Sequence, residues 1–222
     1  GIAVAAAVQT DTSILCSTPS FVNVASLGHV DVSLKYNGAE VFDTGLAFGI
    51  NNPARVTRVS PTSGEYTGGT ELTVTGANFV NVDTLSCEFD DIVVPARFVT
   101  SETVLCTSPL SEIGPQADVL VAVSNNGQDF SQEGVTFTYT PRIGNVAVTP
   151  SRGPTDGGTV VVVTGHEFSL SPLLQCWFGT AAVAASFINS TALVCKSPMA
   201  TDPGVVSVQI THNGVDFIDS GI

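Results

Sequence analysis

The stretch Gly68-Gly69-Thr70-Glu71-Leu72-Thr73-Val74-Thr75-Gly76-Ala77-Asn78-Phe79 is met again as Gly157-Gly158-Thr159-Val160-Val161-Val162-Val163-Thr164-Gly165-His166-Glu167-Phe168, 89 residues downstream. The same offset relates Val59-Ser60-Pro61 to Val148-Thr149-Pro150, Cys87 to Cys176, Cys106 to Cys195, and Ser108-Pro109 to Ser197-Pro198. Later markers, Asn126-Gly127 and Asp129-Phe130, recur as Asn213-Gly214 and Asp216-Phe217 at an offset of 87, so one loop is two residues shorter in the last copy. Self-similarity at a fixed period is the signature of a repeat architecture, in which each copy is one structural unit.

A partial third copy opens the chain. Cys16 and Pro19 align with Cys106 and Pro109, Asn37-Gly38 with Asn126-Gly127, and Phe42 with Phe130. In this register Gly1 falls opposite Asp91 and Ile222 opposite Val135. The reading predicts residues 1–54 as the C-terminal part of a repeat, 55–141 as a complete repeat, and 142–222 as a repeat lacking its last strand. The connections Asn51-Asn52-Pro53 and Thr140-Pro141 are short and carry proline, which stiffens them.

Within a repeat the apolar residues alternate. His29-Val30-Asp31-Val32-Ser33-Leu34-Lys35-Tyr36 has period two, the mark of a strand with one buried face. The equivalent positions are Val119, Val121 and Val123 in the second copy and Val206, Val208 and Ile210 in the third. Together with Val30, Val32 and Leu34, these nine side chains are expected on the core face. Asn-Gly follows each of the three strands and suits the two positive-φ positions of a type I′ hairpin. Many short strands punctuated by Gly and Pro, with no helical periodicity, predict an all-β chain of antiparallel sandwiches.

The ordered set Pro61, Gly64, Gly68-Gly69-Thr70, Thr75-Gly76, Asn78-Phe79, Cys87, Cys106 and Ser108-Pro109 resembles the IPT/TIG domain, an immunoglobulin-like β-sandwich. The third copy matches it with Pro150, Gly153, Gly157-Gly158-Thr159, Thr164-Gly165, Phe168 and Trp177-Phe178-Gly179, and departs at Glu167, where Asn is usual. The resemblance implies tandem IPT/TIG sandwiches over nearly the whole chain. It specifies a fold more than a role, because one fold hosts many functions.

Five cysteines is an odd number. Cys87 and Cys106 are 19 apart, as are Cys176 and Cys195, and the recurrence of the pair predicts one disulfide in each repeat. The competing reading is buried free thiols, which are common in cores. Cys16 aligns with the second cysteine of a pair and is expected to be unpaired or to bridge between chains.

The 222 residues include 7 Lys and Arg against 20 Asp and Glu, for a net charge of −13. That balance excludes nucleic acid and anionic membrane surfaces as partners, since both require a basic face. No apolar run approaches the length of a membrane span. His29, His166 and His212 share no repeat position and are expected in ordinary loop or surface roles. The carboxylates Glu88, Asp90 and Asp91 read as a solvated face, and Asp129, Asp216 and Asp219 lack the spacing of a calcium loop. No catalytic residue, metal site or cofactor is expected, so the chain reads as a non-enzyme. Asn189-Ser190-Thr191 is an N-glycosylation sequon.

These features point to an extracellular or cell-surface repeat protein. The first functional reading is a structural filament, fibre or stalk built by head-to-tail assembly with copies of itself, with strand complementation between subunits. The alternative is the ectodomain stalk of a cell-surface receptor or adhesin, as in plexin-type receptors that carry IPT repeats. Glycans are possible partners in either.

Overall fold

The computed structural model describes residues 2–19, 28–36 and 40–221. No helix occurs among them; the chain is strand, turn and loop. It divides into two compact units, Gly1–Asn52 and Pro53–Ile222.

The first unit holds two antiparallel pairs. Strands β1 (Ala6–Val8) and β2 (Ile14–Cys16) form one, and β3 (Gly28–Tyr36) and β4 (Glu40–Ile50) the other. A two-stranded ribbon has no second layer to bury its apolar face against. Val32 is accordingly exposed at 37%, contrary to its expected core position, and Val30 and Leu34 are only half-buried. The Asn37-Gly38 turn lies outside the described residues. Cys16 is exposed and free.

The second unit contains two successive sandwiches. The first comprises β5 (Arg55–Ser60), β6 (Ser63–Glu65), β7 (Glu71–Ala77), β8 (Ser86–Phe89), β9 (Ile92–Thr100), β10 (Thr103–Thr107), β11 (Asp118–Ser124) and β12 (Val135–Thr140). Its strands run in the order β5-β7-β10-β9-β8-β11-β12-β6. The long β9 joins the two layers: Ile92 to Pro95 pair with β8, and Ala96 onward pair with β10.

The second sandwich comprises β13 (Gly144–Thr149), β14 (Val160–His166), β15 (Gln175–Phe178), β16 (Ala181–Ala184), β17 (Ser186–Asn189), β18 (Ala192–Lys196), β19 (Val208–Thr211) and β20 (Ile218–Asp219). Here the counterpart of β9 is broken at Ala185 into β16 and β17. The result is two separate sheets, β13-β14-β18-β17 and β16-β15-β19-β20. The crossing point is tied down the same way in both copies: Ala96 N–H donates to Leu85 O at 3.0 Å and Ala185 N–H to Leu174 O at 3.1 Å.

The twelve-residue motif and the distant Ser-Pro pair turn out to be one device. Gly69 N–H donates to Ser108 O, Thr70 N–H to Ser108 Oγ, and Ser108 N–H to Thr70 O, at 2.9, 3.1 and 2.8 Å. Gly158, Thr159 and Ser197 repeat the pattern at 2.8, 3.1 and 2.8 Å. A Cβ on Gly68 would stand 2.6 Å from the Pro109 backbone, and one on Gly157 2.6 Å from that of Pro198. Both glycines also have positive φ, so glycine is required for two reasons. Further along, the Phe79 ring packs where a Cβ on Gly76 would lie, and Phe168 does the same over Gly165.

Alternation sets the core. Leu72 and Val74 of β7, and Val161 and Val163 of β14, point inward against β10 and β18. Val119, Val121, Val123, Val208 and Ile210 are buried. Val206 is not: it is 50% exposed, where its counterpart Val119 is 4% exposed. Val119 lies opposite Phe137 of β12. The second sandwich has no such pairing among its described residues, since β20 reaches only Gln209 and Ile210.

The Asn-Gly turns also differ from expectation. Gly127 and Gly214 have positive φ, but Asn126 and Asn213 do not, so neither turn is type I′. The asparagine side chain organises the loop instead. Asn126 Oδ1 accepts from the N–H groups of Gln128 and Asp129, and Asn213 Oδ1 from those of Val215 and Asp216. The side-chain amide then donates to the following aspartate, Asp129 or Asp216, at 2.7 Å in both loops. An Asx turn of this kind competes directly with the tight hairpin that the dipeptide alone suggests.

Disulfides Cys87–Cys106 and Cys176–Cys195 span Cα–Cα distances of 6.3 and 6.4 Å and lie buried within the two sandwiches. The second joins β15 to β18 and so ties the two sheets together. Each closes a loop of about 20 residues, which constrains the unfolded chain by about 3 kcal/mol. The double variant Cys87→Ala/Cys106→Ala is expected to lose about that much stability in denaturant titration.

Candidate functional site at the junction between the sandwiches

The sandwiches of the second unit meet at the loop 212–216 that follows β19. Packed against it are β6, Thr70 and the end of β12. His212 is 2% exposed, which corrects its expected surface role. Its Nε2 lies 3.1 Å from Thr140 Oγ1. The Thr140 hydroxyl donates its own proton to Gly64 O at 3.1 Å, so it can only accept from the histidine. The imidazole therefore carries a proton on Nε2. Its Nδ1 is buried without a hydrogen-bond partner, and Ser171 Oγ donates to the His212 carbonyl at 2.5 Å.

The next residues complete a polar clamp. Asn213 Nδ2 donates to Ser63 O at 2.9 Å as well as to Asp216 Oδ2 at 2.7 Å. Asp216 Oδ2 also accepts from the Thr70 hydroxyl at 2.7 Å, across the junction. Thr70 is 1% exposed, and its hydroxyl occupies the space where a Cβ on Gly64 would be. Glu65 accepts from Thr67 Oγ1 at 3.3 Å, and Arg142 of the linker lies 3.8 Å from it. The loop that caps a hairpin within one repeat thus doubles as the bolt onto the preceding one.

Burial governs the ionisation of this cluster. Desolvation holds His212 below the ordinary histidine range, with Asp216 partly opposing it. Desolvation also raises Glu65, against Arg142 and the Thr67 hydrogen bond, and the nearby Asp216 carboxylate adds to the rise. Asp90 and Asp91 are exposed, as expected of a solvated face, although Asp90 Oδ1 also accepts from Leu120 N–H; Glu88 is half-buried, and burial together with Asp91 and Asp90 raises it. Among the described residues no three His, Cys, Asp or Glu side chains converge to hold a metal ion. Among the described residues no helix is long and apolar enough to cross a membrane. Trp177 stacks edge-to-face on Phe217 at 5.3 Å, with its indole N–H held by Gln175.

Sequence reasoning passed over His212, Asn213, Asp216 and Thr70 as a group. Asn213-Gly214 and Asp216 stood out as repeat markers, and Thr70 as part of the Gly-Gly-Thr motif. Nothing in the sequence joins residues 70 and 216. The repeat counterpart of Asp216 is Asp129, which lies in the same sandwich as Thr70 and bonds Asn126 rather than Thr70, so the repeat alone hides the contact.

Acidification has opposite effects on the two buried groups. His212 is depressed on folding, so the unfolded chain binds the proton more readily and stability falls with pH below about 6.5. Glu65 is raised on folding, so its contribution is greatest in acid and is lost as pH rises. The His212 effect sets in as pH falls through about 6.5, where the unfolded histidine takes up its proton. The melting temperature is expected to fall between about pH 7 and pH 5.5, and to fall less in His212→Gln, whose amide can donate to Thr140 without titrating. Equal pH dependence in the variant would remove His212 from this role.

Two stretches, 54–139 and 146–221, match the family model described as the IPT/TIG domain. Mouse Fibrocystin-L (Mus musculus) is 33% identical over 169 residues, covering 73% of this chain and 4% of that protein. Plexin-A3 of Rattus norvegicus is 30% identical over 148 residues, covering 64% of this chain and 8% of that protein. Among solved structures, the full extracellular region of Plexin A4, domains 1 to 10, aligns with TM-score 0.48 and 17% identity over 84% of this chain and 16% of that one. The chain thus spans less than a tenth of the length of these curated relatives. Disulfides form and persist in oxidising compartments, and the two buried disulfides accord with a chain that is extracellular or at the cell surface. On the two family matches and the sandwich topology, the chain belongs to the IPT/TIG domain family.

Proposed function

We propose that the chain is a non-catalytic segment of the ectodomain stalk of a cell-surface receptor or adhesin, and that it sets the spacing and orientation of whatever domains flank it. The observation that carries this reading is the clamp of Thr70, Asn213 and Asp216, which fastens one sandwich to the next through buried polar groups. Buried hydrogen bonds fix geometry, because any misalignment leaves a desolvated donor or acceptor without a partner. A linker as short as Pro141-Arg142-Ile143 adds to that restraint, since Ile143 is itself buried in the second core. The relatives, plexins and fibrocystin-L, favour a receptor stalk over the head-to-tail filament.

The two readings separate in solution. A stalk segment sediments as one species whose size does not depend on concentration. A filament-forming chain grows with concentration into polymers visible by electron microscopy. The secreted, disulfide-bonded chain, kept under conditions that block Cys16, is expected to remain monomeric in sedimentation velocity up to high micromolar concentration. Concentration-dependent polymers would instead restore the filament.

A further inference from the structure

The turn between β17 and β18 carries the sequon Asn189-Ser190-Thr191. Asn189 Oδ1 accepts from both the N–H and the hydroxyl of Thr191, at 2.8 Å each. Its amide nitrogen Nδ2 makes no hydrogen bond among the described residues, and all three sequon residues are exposed. The turn is anchored from beneath: Phe168 N–H donates to Ser190 O and Gly165 N–H to Thr191 O, at 3.0 Å each. The backbone is thereby fixed and the amide left facing solvent.

The equivalent turn of the first sandwich is Thr100-Ser101-Glu102. There Thr100 Oγ1 accepts from Glu102 N–H at 3.2 Å, and Gly76 and Phe79 hold the turn as Gly165 and Phe168 do. The fold therefore needs only a short side-chain acceptor at the first position. An asparagine with a threonine hydroxyl two residues on exceeds what the turn requires.

The setting adds a reason for a bulky polar group. β17 is an edge strand of its sheet, and its pairing with β18 is irregular between Phe187 and Asn189. Ile188, at that irregularity, is 57% exposed. An open edge beside an exposed aliphatic side chain invites pairing with another chain, and a covering group blunts it.

We infer that Asn189 is an N-glycosylation site, and that its glycan covers the open edge of the second sandwich at the end nearest the linker. In the modifying step Nδ2 bonds to the anomeric carbon of an oligosaccharide carried on a lipid diphosphate. The bond from that carbon to the diphosphate oxygen breaks, the lipid diphosphate leaves with the electron pair, and the amide nitrogen gives up one proton to a base of the transferase. The inference rests on passage through a secretory pathway and not on the stalk role.

The test is intact and peptide mass analysis of the whole chain secreted from a eukaryotic host, before and after enzymatic release of N-linked glycans. A glycan is expected on the Asn189 peptide, with Asn189 converted to Asp on release. Thr191→Ser is expected to keep it and Thr191→Val to lose it. Asn189→Thr, which copies the turn chemistry of Thr100, is expected to lose it while melting like the enzymatically deglycosylated wild type. An unmodified Asn189 peptide in secreted wild-type protein would overturn the inference, as would the same glycan mass in Asn189→Thr.

Discussion

Asp216 Oδ2 accepts one proton from the Thr70 hydroxyl and another from the Asn213 amide, at 2.7 Å each, and through that oxygen the two sandwiches are fastened. Much of the surrounding structure serves to place it. The Gly-Gly-Thr turn, locked to Ser108, fixes Thr70. The Asx turn of Asn213 fixes Asp216. Gly64 leaves the space that the Thr70 hydroxyl fills, and the disulfides hold the layers that carry both loops. A carboxylate taken partly out of water is costly unless its oxygens are satisfied, so the contact is strongly directional. Directionality is what a spacer between domains needs and what apolar contact alone does not supply.

The two sandwiches show how one pattern tolerates variation around that constraint. β9 runs unbroken between layers, while its counterpart is split at Ala185, yet both copies keep the same backbone bond at the crossing. The loop before Asn126 uses Asn125 to bind Val80 N–H and Asn78 O within its own repeat. The aligned position in the second sandwich is His212, which reaches instead to Thr140 of the preceding domain. One substitution at one loop position turns an internal brace into an interdomain contact. It also introduces the only deeply buried titratable group at the junction whose ordinary range lies near neutrality.

The fold was largely legible because it is written locally and twice. Alternation at Leu72 and Val74, the Gly-Gly-Thr motif and the recurring cysteine spacing each concern residues whose partners the repeat register brings into line. Val32 and Val206 misled for different reasons: the ribbon that carries Val32 has no second layer over it, and Val206 lies before β19 with no strand paired to it among the described residues. The Asn-Gly dipeptides misled because the side chain of asparagine outcompeted the backbone preference. The junction was not legible at all. Residues 70, 140, 212, 213 and 216 meet only through tertiary packing, and each has an adequate local explanation without the others.

If this clamp sets interdomain geometry, its most direct measure is the distance distribution between spin labels on the two sandwiches. Labels at Glu102 and Asp202, both exposed, in a Cys16→Ser background would report it by pulsed electron resonance. The account predicts a single narrow distribution that broadens in the Thr70→Val/Asp216→Ala variant while each sandwich stays folded. A wild-type distribution already as broad as that of the variant would contradict it.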